Sequence, residues 1–183
     1  MTFTLGVISD THIPDRTRHL NPKIIPSFRE AGVQAILHAG DVSVRSVLDE
    51  LGQVAPVYAV RGNRDWLALH DLPLSLQITF NGVKIGLAHG HGRWWEYLIE
   101  RVYFILNGYR LERFTPRLVD AFPDAQVIVF GHTHYPVNLW QDGKLLFNPG
   151  SPHFPVEDEI TPSIGFLHID TGGDVKGEIV PLL

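Results

Sequence analysis

The chain has 183 residues, of which 44% are hydrophobic and 19% charged, and its formal net charge is −5. This composition is that of an ordinary globular domain and excludes an intrinsically disordered chain. The negative charge argues against a protein built mainly to grip a nucleic-acid backbone, so nucleic-acid binding is not expected. The absence of cysteine excludes disulfides and thiolate ligands and fits a reducing, cytoplasmic compartment.

Targeting and membrane-spanning segments are not expected. The N-terminal segment MTFTLGVIS lacks a basic region and a cleavage signal and runs directly into a strand pattern, unlike a signal peptide. The longest apolar candidate, residues 97–106, contains Glu100 and Arg101 and is too short to span a bilayer. We therefore expect one soluble domain over residues 1–183 with no membrane partner.

The first third of the chain alternates strand and helix. Strand patterns cover residues 3–9, 35–38 and 56–60. Between them, one helix is predicted from Asn21-Pro22 to Gly32 and another over residues 43–51. This alternation predicts a parallel sheet with right-handed crossovers.

Three strand pairs further along the chain indicate antiparallel hairpins. The pairs are 74–80 with 83–88, 137–140 with 144–147, and 164–169 with 175–181. The first two turn at Asn81-Gly82 and Asp142-Gly143, which are strong hairpin signals. Together, the crossovers and hairpins predict two mixed sheets face to face with helices outside.

An aromatic helical insertion is predicted at about residues 92–123. It contains a helix over 94–106, a break at Asn107-Gly108 and a second helix ending before Pro123. Its aromatic residues are Trp94, Trp95, Tyr97, Tyr103, Phe104, Tyr109, Phe114 and Phe122. Two interpretations stay open: a helix pair packed on a sheet, or a surface for a homo-oligomer interface or a substrate-facing lid.

Five short strings carry acids and histidines directly after predicted strands. They are Asp10-Thr-His12, Gly40-Asp41, Gly62-Asn63, His89-Gly-His91 and Gly131-His132-Thr-His134. Ligands delivered from several strand ends into one crevice are typical of a site in an α/β sheet. Each string alone is weak evidence, whereas the ordered combination is specific. Oxygen and imidazole ligands without sulfur suit Mn²⁺, Fe or Zn²⁺.

The ordered set resembles the calcineurin-like metallophosphoesterase superfamily, especially its small prokaryotic single-domain phosphodiesterase branch. The resemblance runs from SDTH (9–12) through HAGD, RGNRD, AHGHG and FGHTH to FNPGS (147–151). It implies an α/β fold, the four-layer α/β/β/α sandwich of two mixed β-sheets known as the metallophosphoesterase fold.

The resemblance also implies two divalent metal ions, with Mn²⁺ expected and Fe, Ni²⁺ or Zn²⁺ as alternatives. Carried over position by position, it assigns the first metal to Asp10, His12, Asp41 and His134. It assigns the second metal to Asp41, Asn63, His89 and His132, so that Asp41 bridges the two.

The third string departs from the family pattern at Arg64. Many members have a histidine there, proposed as the general acid, and arginine cannot donate that proton. Arg64 can still clamp a phosphate oxygen and stabilise developing charge. We hypothesise that His91, two residues beyond His89, contacts substrate or protonates the leaving group. Asp65 is expected to cap or orient this loop, and His38 to hold a hydrogen-bonded structural position.

These observations predict a metal-dependent hydrolase acting on a small phosphate ester, more specifically a phosphodiesterase. Its nucleophile would be a hydroxide bridging the two metals. The alternative is a protein-binding scaffold with a weak or vestigial metal site, as the retromer scaffold subunit of this superfamily suggests. All seven ligand positions carry a competent ligand, which favours the enzyme.

Overall fold

The computed structural model describes residues 2–92, 103, 108, 110–153 and 160–183. Its strands are β1 (Phe3–Ile8), β2 (Ala35–His38), β3 (Val57–Ala59), β4 (Ser75–Phe80), β5 (Val83–Ala88), β6 (Val127–Val129), β7 (Val137–Gln141), β8 (Lys144–Asn148), β9 (Ser163–Ile169) and β10 (Val175–Pro181). Its helices are α1 (Ile24–Glu30), α2 (Arg45–Leu51) and α3 (Thr115–Ala121), the last preceded by a 3₁₀ turn, Leu111–Arg113.

The strands form two mixed sheets of five strands each. The first has the order β10-β9-β1-β2-β3, in which β1, β2 and β3 are parallel and are joined through α1 and α2. The second has the order β4-β5-β6-β8-β7, with β5, β6 and β8 parallel. The predicted hairpins are β4-β5, β7-β8 and β9-β10, all antiparallel. Parallel strands therefore occupy the middle of the second sheet and hairpins its two edges.

Three apolar clusters separate four layers. The cluster between the sheets draws on both of them and includes Leu5, Val7, Leu37, Ile85, Val129 and Phe147. A second cluster packs α1 and α2 on the outer face of the first sheet, and a third packs α3 on the outer face of the second. The predicted α/β/β/α sandwich is confirmed.

Helices α1 and α3 each approach a sheet where a strand carries glycine. A Cβ atom at Gly6 of β1 would lie 2.9 Å from Phe28 Cε1, and one at Gly86 of β5 would lie 2.7 Å from Phe122 Cδ1. The Phe28 and Phe122 rings thus occupy the space of the missing side chains. This close approach brings both helices to within direct packing distance of strands that end at the acidic and histidine strings.

Local turn chemistry agrees with the sequence at the first two hairpins. Asn81 and Asp142 adopt φ of 46° and 49°, each followed by a glycine with positive φ, as type I′ turns require. The first helix begins later than predicted, at Ile24. The Asn21 side chain accepts a hydrogen bond from the Lys23 N–H at 3.0 Å in the turn that precedes the helix.

The aromatic insertion is only partly covered by the structure. The helix predicted over 94–106 and the break after it fall almost entirely outside the described residues, whereas α3 ends at Ala121, before Pro123 as predicted. The single-domain extent, the bounds of the insertion and its role in a homo-oligomer stay predictions. Among the helices of the described ranges, none combines the length and apolarity needed to cross a bilayer.

Lys144 is predicted to stabilise the connection after α3. Its ammonium group donates to the carbonyl oxygens of Phe122, Pro123 and Ala125 at 3.2, 2.7 and 2.7 Å. Lys144→Met leaves these carbonyls without their charged donor, so we expect the free energy of unfolding to fall by about 1.5–3 kcal/mol. Urea denaturation measures the change. Lys84→Met, at an exposed site of β5, is the control, and an equal loss in both variants would contradict this role.

Candidate metal centre

The first group of candidate ligands brings together Asp10, His12 and His134 from loops after β1 and β6. His134 Nε2 lies 3.1 Å from His12 Nε2 and 3.3 Å from Asp10 Oδ1, and His12 Nε2 lies 3.7 Å from Asp10 Oδ1. Ligand atoms about 2.1 Å from a common ion lie about 3.0 to 3.6 Å apart at angles of 90 to 120°. These three side chains therefore have the spacing of ligands to one cation.

The second group brings together Asp41, Asn63 and His89. His89 Nε2 lies 3.5 Å from Asp41 Oδ1 and 3.1 Å from Asn63 Oδ1. His89 Nδ1 donates to the Ala39 carbonyl at 2.7 Å, which directs Nε2 towards the two oxygens. Asp10 Oδ1, 4.0 Å from His89 Nε2, also belongs to this group.

Two carboxylates connect the groups. Asp41 Oδ1 faces His89, while its Oδ2 lies 3.8 Å from His12 Nε2. Asp10 belongs to both ligand groups, and its Oδ1 lies 3.3 Å from His134 Nε2 and 4.0 Å from His89 Nε2. Asp41 is therefore positioned for the predicted bridging role, and Asp10 is a second shared carboxylate that the sequence pattern does not indicate.

His132 is the seventh predicted ligand and lies beside the second group. Its ring centroid is 5.1 Å from that of His89, and its backbone N–H donates to Asp10 Oδ2 at 3.0 Å. Its imidazole is not a member of either compact ligand group found among the described residues. The assignment of all seven ligands stays a prediction, although the structure brings all seven residues to one crevice.

Asp10 has one oxygen held by the protein and one directed at the histidines. Oδ2 accepts hydrogen bonds from the Ser9 hydroxyl at 2.6 Å and from His132 N–H. Oδ1 is fully buried and accepts no hydrogen bond within the described ranges of the chain. A buried carboxylate oxygen without a donor needs a compensating cation. The donor set and this oxygen both fit a divalent metal ion.

Opposing effects set the pKa values of the buried groups. Burial raises the pKa of Asp10, but the charges of His134, His89 and His12 outweigh it and hold that pKa well below its ordinary value. Burial likewise opposes ionisation of Asp41, yet His89 brings the pKa of Asp41 to about 2. Both carboxylates are thus ionised at neutral pH, as metal ligands must be.

The histidines divide into neutral and protonated groups in the metal-free protein. Burial lowers the pKa of His12 to about 4 and that of His132 to about 3. The pKa of His89 is raised to about 9 because Asp41 and Asp10 outweigh its burial. His89 therefore carries, at neutral pH, a proton on the side where a cation would bind.

The ligand loops use left-handed backbone conformations at several residues that are not glycine. The φ angles are 56° at Asp10, 49° at His12, 53° at Asp41, 70° at His132 and 62° at His134. Such conformations cost of order 1–3 kcal/mol each and cluster at functional sites. These conformations turn the backbone sharply after each strand and direct the side chains into the crevice.

In three of the five strings, the glycine leaves space for a side chain that belongs to a different string. A Cβ atom at Gly40 would lie 2.7 Å from His89 Nδ1, one at Gly62 would lie 2.9 Å from Asp41 Cγ, and one at Gly131 would lie 2.8 Å from Asp10 Oδ2. All three distances are shorter than real Cβ contacts. The strings therefore interlock, and each glycine makes room for a candidate ligand.

Buried polar residues outside the ligand set hold these loops together. Asp65 accepts hydrogen bonds from Ser43 N–H at 2.7 Å and Gly62 N–H at 2.8 Å, which confirms that it orients the loop. The Ser151 hydroxyl donates to the Asp10 carbonyl at 3.0 Å, and Asn148 Nδ2 donates to the Gly131 carbonyl at 3.0 Å. The string FNPGS thus supports the ligand loops through hydrogen bonds.

His38 has the structural position predicted for it. Gly40 N–H donates to its Nδ1 at 3.3 Å, and its Nε2 lies 3.2 Å from the Thr11 hydroxyl. Burial lowers the pKa of His38 to about 4, so the ring is neutral and has one donor and one acceptor nitrogen. It connects the first two ligand loops.

The two candidate catalytic residues lie at the edge of the crevice. The Arg64 guanidinium is half-exposed and 3.3 Å from Asp15 Oδ2, while its backbone N–H donates to Asp41 Oδ1 at 2.8 Å. The His91 ring is half-buried, with its centroid 5.3 Å from that of His89. The Asp15 contact was not expected, because no sequence pattern connects residues 15 and 64.

Metal binding is predicted to release a proton from His89. With a pKa of about 9, His89 is protonated in the metal-free protein at pH 7.5, whereas a ligand imidazole must be neutral. We expect about one proton to be released per second-site ion at pH 7.5 and the release to vanish above about pH 10. Calorimetric titration with Mn²⁺ in buffers of different ionisation enthalpy measures this number. Proton release that is equal at pH 7.5 and pH 10 would contradict it.

Comparison with known proteins agrees with this geometry. Residues 3–172 match the family model of the calcineurin-like phosphoesterase superfamily domain. A probable metallophosphoesterase of Methanocaldococcus jannaschii is 37% identical over 181 residues, covering 99% of this chain and 82% of that protein. One of Methanothermobacter thermautotrophicus is 35% identical over 176 residues, covering 96% and 91%. Vps29 of Chaetomium thermophilum has a similar fold, with a TM-score of 0.70 at 21% identity over 97% of this chain and 95% of that one. The chain belongs to the calcineurin-like phosphoesterase superfamily.

Proposed function

We propose that the protein is a cytoplasmic phosphodiesterase that hydrolyses a small phosphate ester with two divalent cations, Mn²⁺ being the expected metal. Family membership supports the general activity of a metal-dependent phosphoesterase hydrolase. The observation that carries the proposal is the pair of buried ligand groups that share Asp10. Pairs of divalent cations occur in phosphatases and nucleases, where they stabilise the attacking and leaving oxygens.

The donor atoms divide between the two cations as follows. Asp10, His12 and His134 would hold the first cation, and Asn63, His89 and His132 the second, with Asp41 offering one oxygen to each. When bound, such cations polarise the phosphoryl group and lower the pKa of water towards neutrality. The protein contributes ionised carboxylates, histidines oriented by backbone contacts, and a crevice in which these charges are little screened.

Arg64 is proposed to contact the substrate phosphate. Its guanidinium is half-exposed and is paired only with Asp15, itself half-exposed, among the described residues. An exposed ion pair of this kind is worth little, about 0–1 kcal/mol. A phosphate oxygen offers a doubly hydrogen-bonded partner instead. Arg64 can therefore leave Asp15 for the substrate at small cost.

His91 is proposed to contact the substrate as a neutral imidazole. Burial and the charge of His89 lower the pKa of His91 to about 4, so at neutral pH the ring has no extra proton to give to a leaving group. It can still donate one N–H to a phosphate oxygen. With neither Arg64 nor His91 acting as an acid, phosphodiesters with good leaving groups are the expected substrates.

The proposed activity is tested with bis(p-nitrophenyl) phosphate, whose leaving group needs no protonation. We expect the metal-stripped protein to be inactive and to regain turnover on addition of Mn²⁺. Asp41→Asn should lower kcat/KM by at least 10²-fold, because it removes an ionised ligand that faces both ligand groups. The measurement is the rate of p-nitrophenolate release with and without the metal.

Asp49→Asn, an exposed carboxylate on α2, is the matched control and should retain full activity. Hydrolysis that is absent with Mn²⁺, Fe²⁺, Ni²⁺ and Zn²⁺ alike, in a protein that is folded by circular dichroism, would favour the protein-binding scaffold. Hydrolysis that survives Asp41→Asn would place the reaction elsewhere on the molecule.

The phosphate contact of Arg64 is tested by Arg64→Met. Loss of a charge-assisted hydrogen bond of about 1.5–3 kcal/mol corresponds to a decrease in kcat/KM of about 10- to 100-fold. Arg45→Met is the matched control, because Arg45 is also half-exposed and also paired with one aspartate, Asp71. Equal kinetics for wild type and Arg64→Met would rule out the contact.

A further inference from the structure

Gly90 separates the candidate ligand His89 from His91. The carbonyl groups of His89 and of Gly90 both accept hydrogen bonds from residues distant in sequence. The His89 carbonyl accepts a hydrogen bond from Gly131 N–H at 3.2 Å. The Gly90 carbonyl accepts a short hydrogen bond from Nη2 of Arg117 on α3. Gly90 has a φ of 96°, in the region that glycine adopts more readily than other residues. These two contacts therefore decide the direction of the chain between the two histidines.

Helix α3 contacts the same part of the site through two other side chains. Leu118 lies where it would meet a Cβ atom at Gly90, at 4.0 Å. The Arg117 guanidinium lies 5.2 Å from the centre of the Phe114 ring. The Phe114 ring in turn meets His132 edge-on, with 6.3 Å between ring centroids. One face of α3 and the residue before it thus adjoin His132 and the backbone of Gly90, directly after His89.

We infer that Arg117 is a positioning residue for the second cation site, acting through the Gly90 carbonyl on His89 and through Phe114 on His132. The inference rests on the two-cation site of the proposed function but does not require turnover. Helix α3 would then be a structural support of the metal centre. The group of Asp10, His12 and His134 has no described contact with Arg117 and should be unaffected.

The packing of α3 on the second sheet does not by itself require an arginine at position 117. Leu118 and Phe122 are almost fully buried and already anchor the helix to the second sheet. An arginine adds a directional, charged donor to one chosen carbonyl, next to a ligand that must be oriented. Methionine, of similar length, preserves the apolar packing and removes the guanidinium, so Arg117→Met tests the hydrogen bond to Gly90 and the contact with Phe114 together.

The experiment is calorimetric titration of the metal-free, full-length protein with Mn²⁺ alone. We expect wild type to bind two ions and Arg117→Met to bind one of them about 10- to 100-fold more weakly, with the other unchanged. Arg117→Lys, which retains a single donor, should be affected less. Arg29→Met, on exposed α1 surface, should match wild type.

Two ligand variants identify the ion concerned. His132→Ala should weaken the same ion as Arg117→Met, and His134→Ala the other. Wild-type affinities in Arg117→Met, or equal weakening of both ions, would overturn the inference while leaving the two-cation site intact. Absence of Mn²⁺ binding in wild type would overturn the site itself. If Arg117→Met does not fold, Arg117→Lys and Phe114→Leu decide by the same selective loss.

Discussion

The burial of the Asp10 carboxylate is the constraint on which the rest of the site depends. Removing a charged group from water costs far more than one hydrogen bond returns, and Asp10 is fully buried. Its Oδ2 is satisfied by Ser9 and by the backbone of His132, and its Oδ1 faces three imidazoles. The loops after β1, β5 and β6 must therefore meet around one oxygen atom, which requires the two sheets to present these strand ends to each other.

That convergence explains why so much unfavourable backbone geometry is concentrated here. Five candidate ligands have left-handed φ angles, and each would relax if its loop were free. The loops are instead tied by side chains far away in sequence, such as Asp65 to Ser43 and Ser151 to Asp10. A set of candidate ligands held in this way is pre-organised for a cation.

Much of this architecture could be predicted from the sequence because its signals are local. Asn81-Gly82 and Asp142-Gly143 are sequences that favour the turns they form. The candidate ligand strings follow short apolar runs that can be recognised as strands from the sequence. Parallel strands bring their carboxyl ends to one edge, so ligands spread from residue 10 to residue 134 could be assigned to one crevice.

What could not be predicted depends on contacts between residues distant in sequence. The ion pair of Arg64 with Asp15 and the hydrogen bond of Arg117 to Gly90 join surface-type residues that form no motif. The sharing of Asp10 by both ligand groups depends on the relative placement of loops that are distant in sequence. The start of α1 at Ile24, after a turn in which the Asn21 side chain accepts a hydrogen bond from Lys23 N–H, also differs from the sequence prediction.

The interlocking glycines have a consequence for recognising such centres in other chains. Ligand residues alone are an incomplete signature, because the space for the Asp41 carboxylate is provided by Gly62 and the space for the Asp10 carboxylate by Gly131. A chain that kept all seven candidate ligands but carried a side chain at either glycine would have to open the crevice and separate its donor atoms. The glycines at these positions are therefore as important to the candidate site as the side chains for which they leave space.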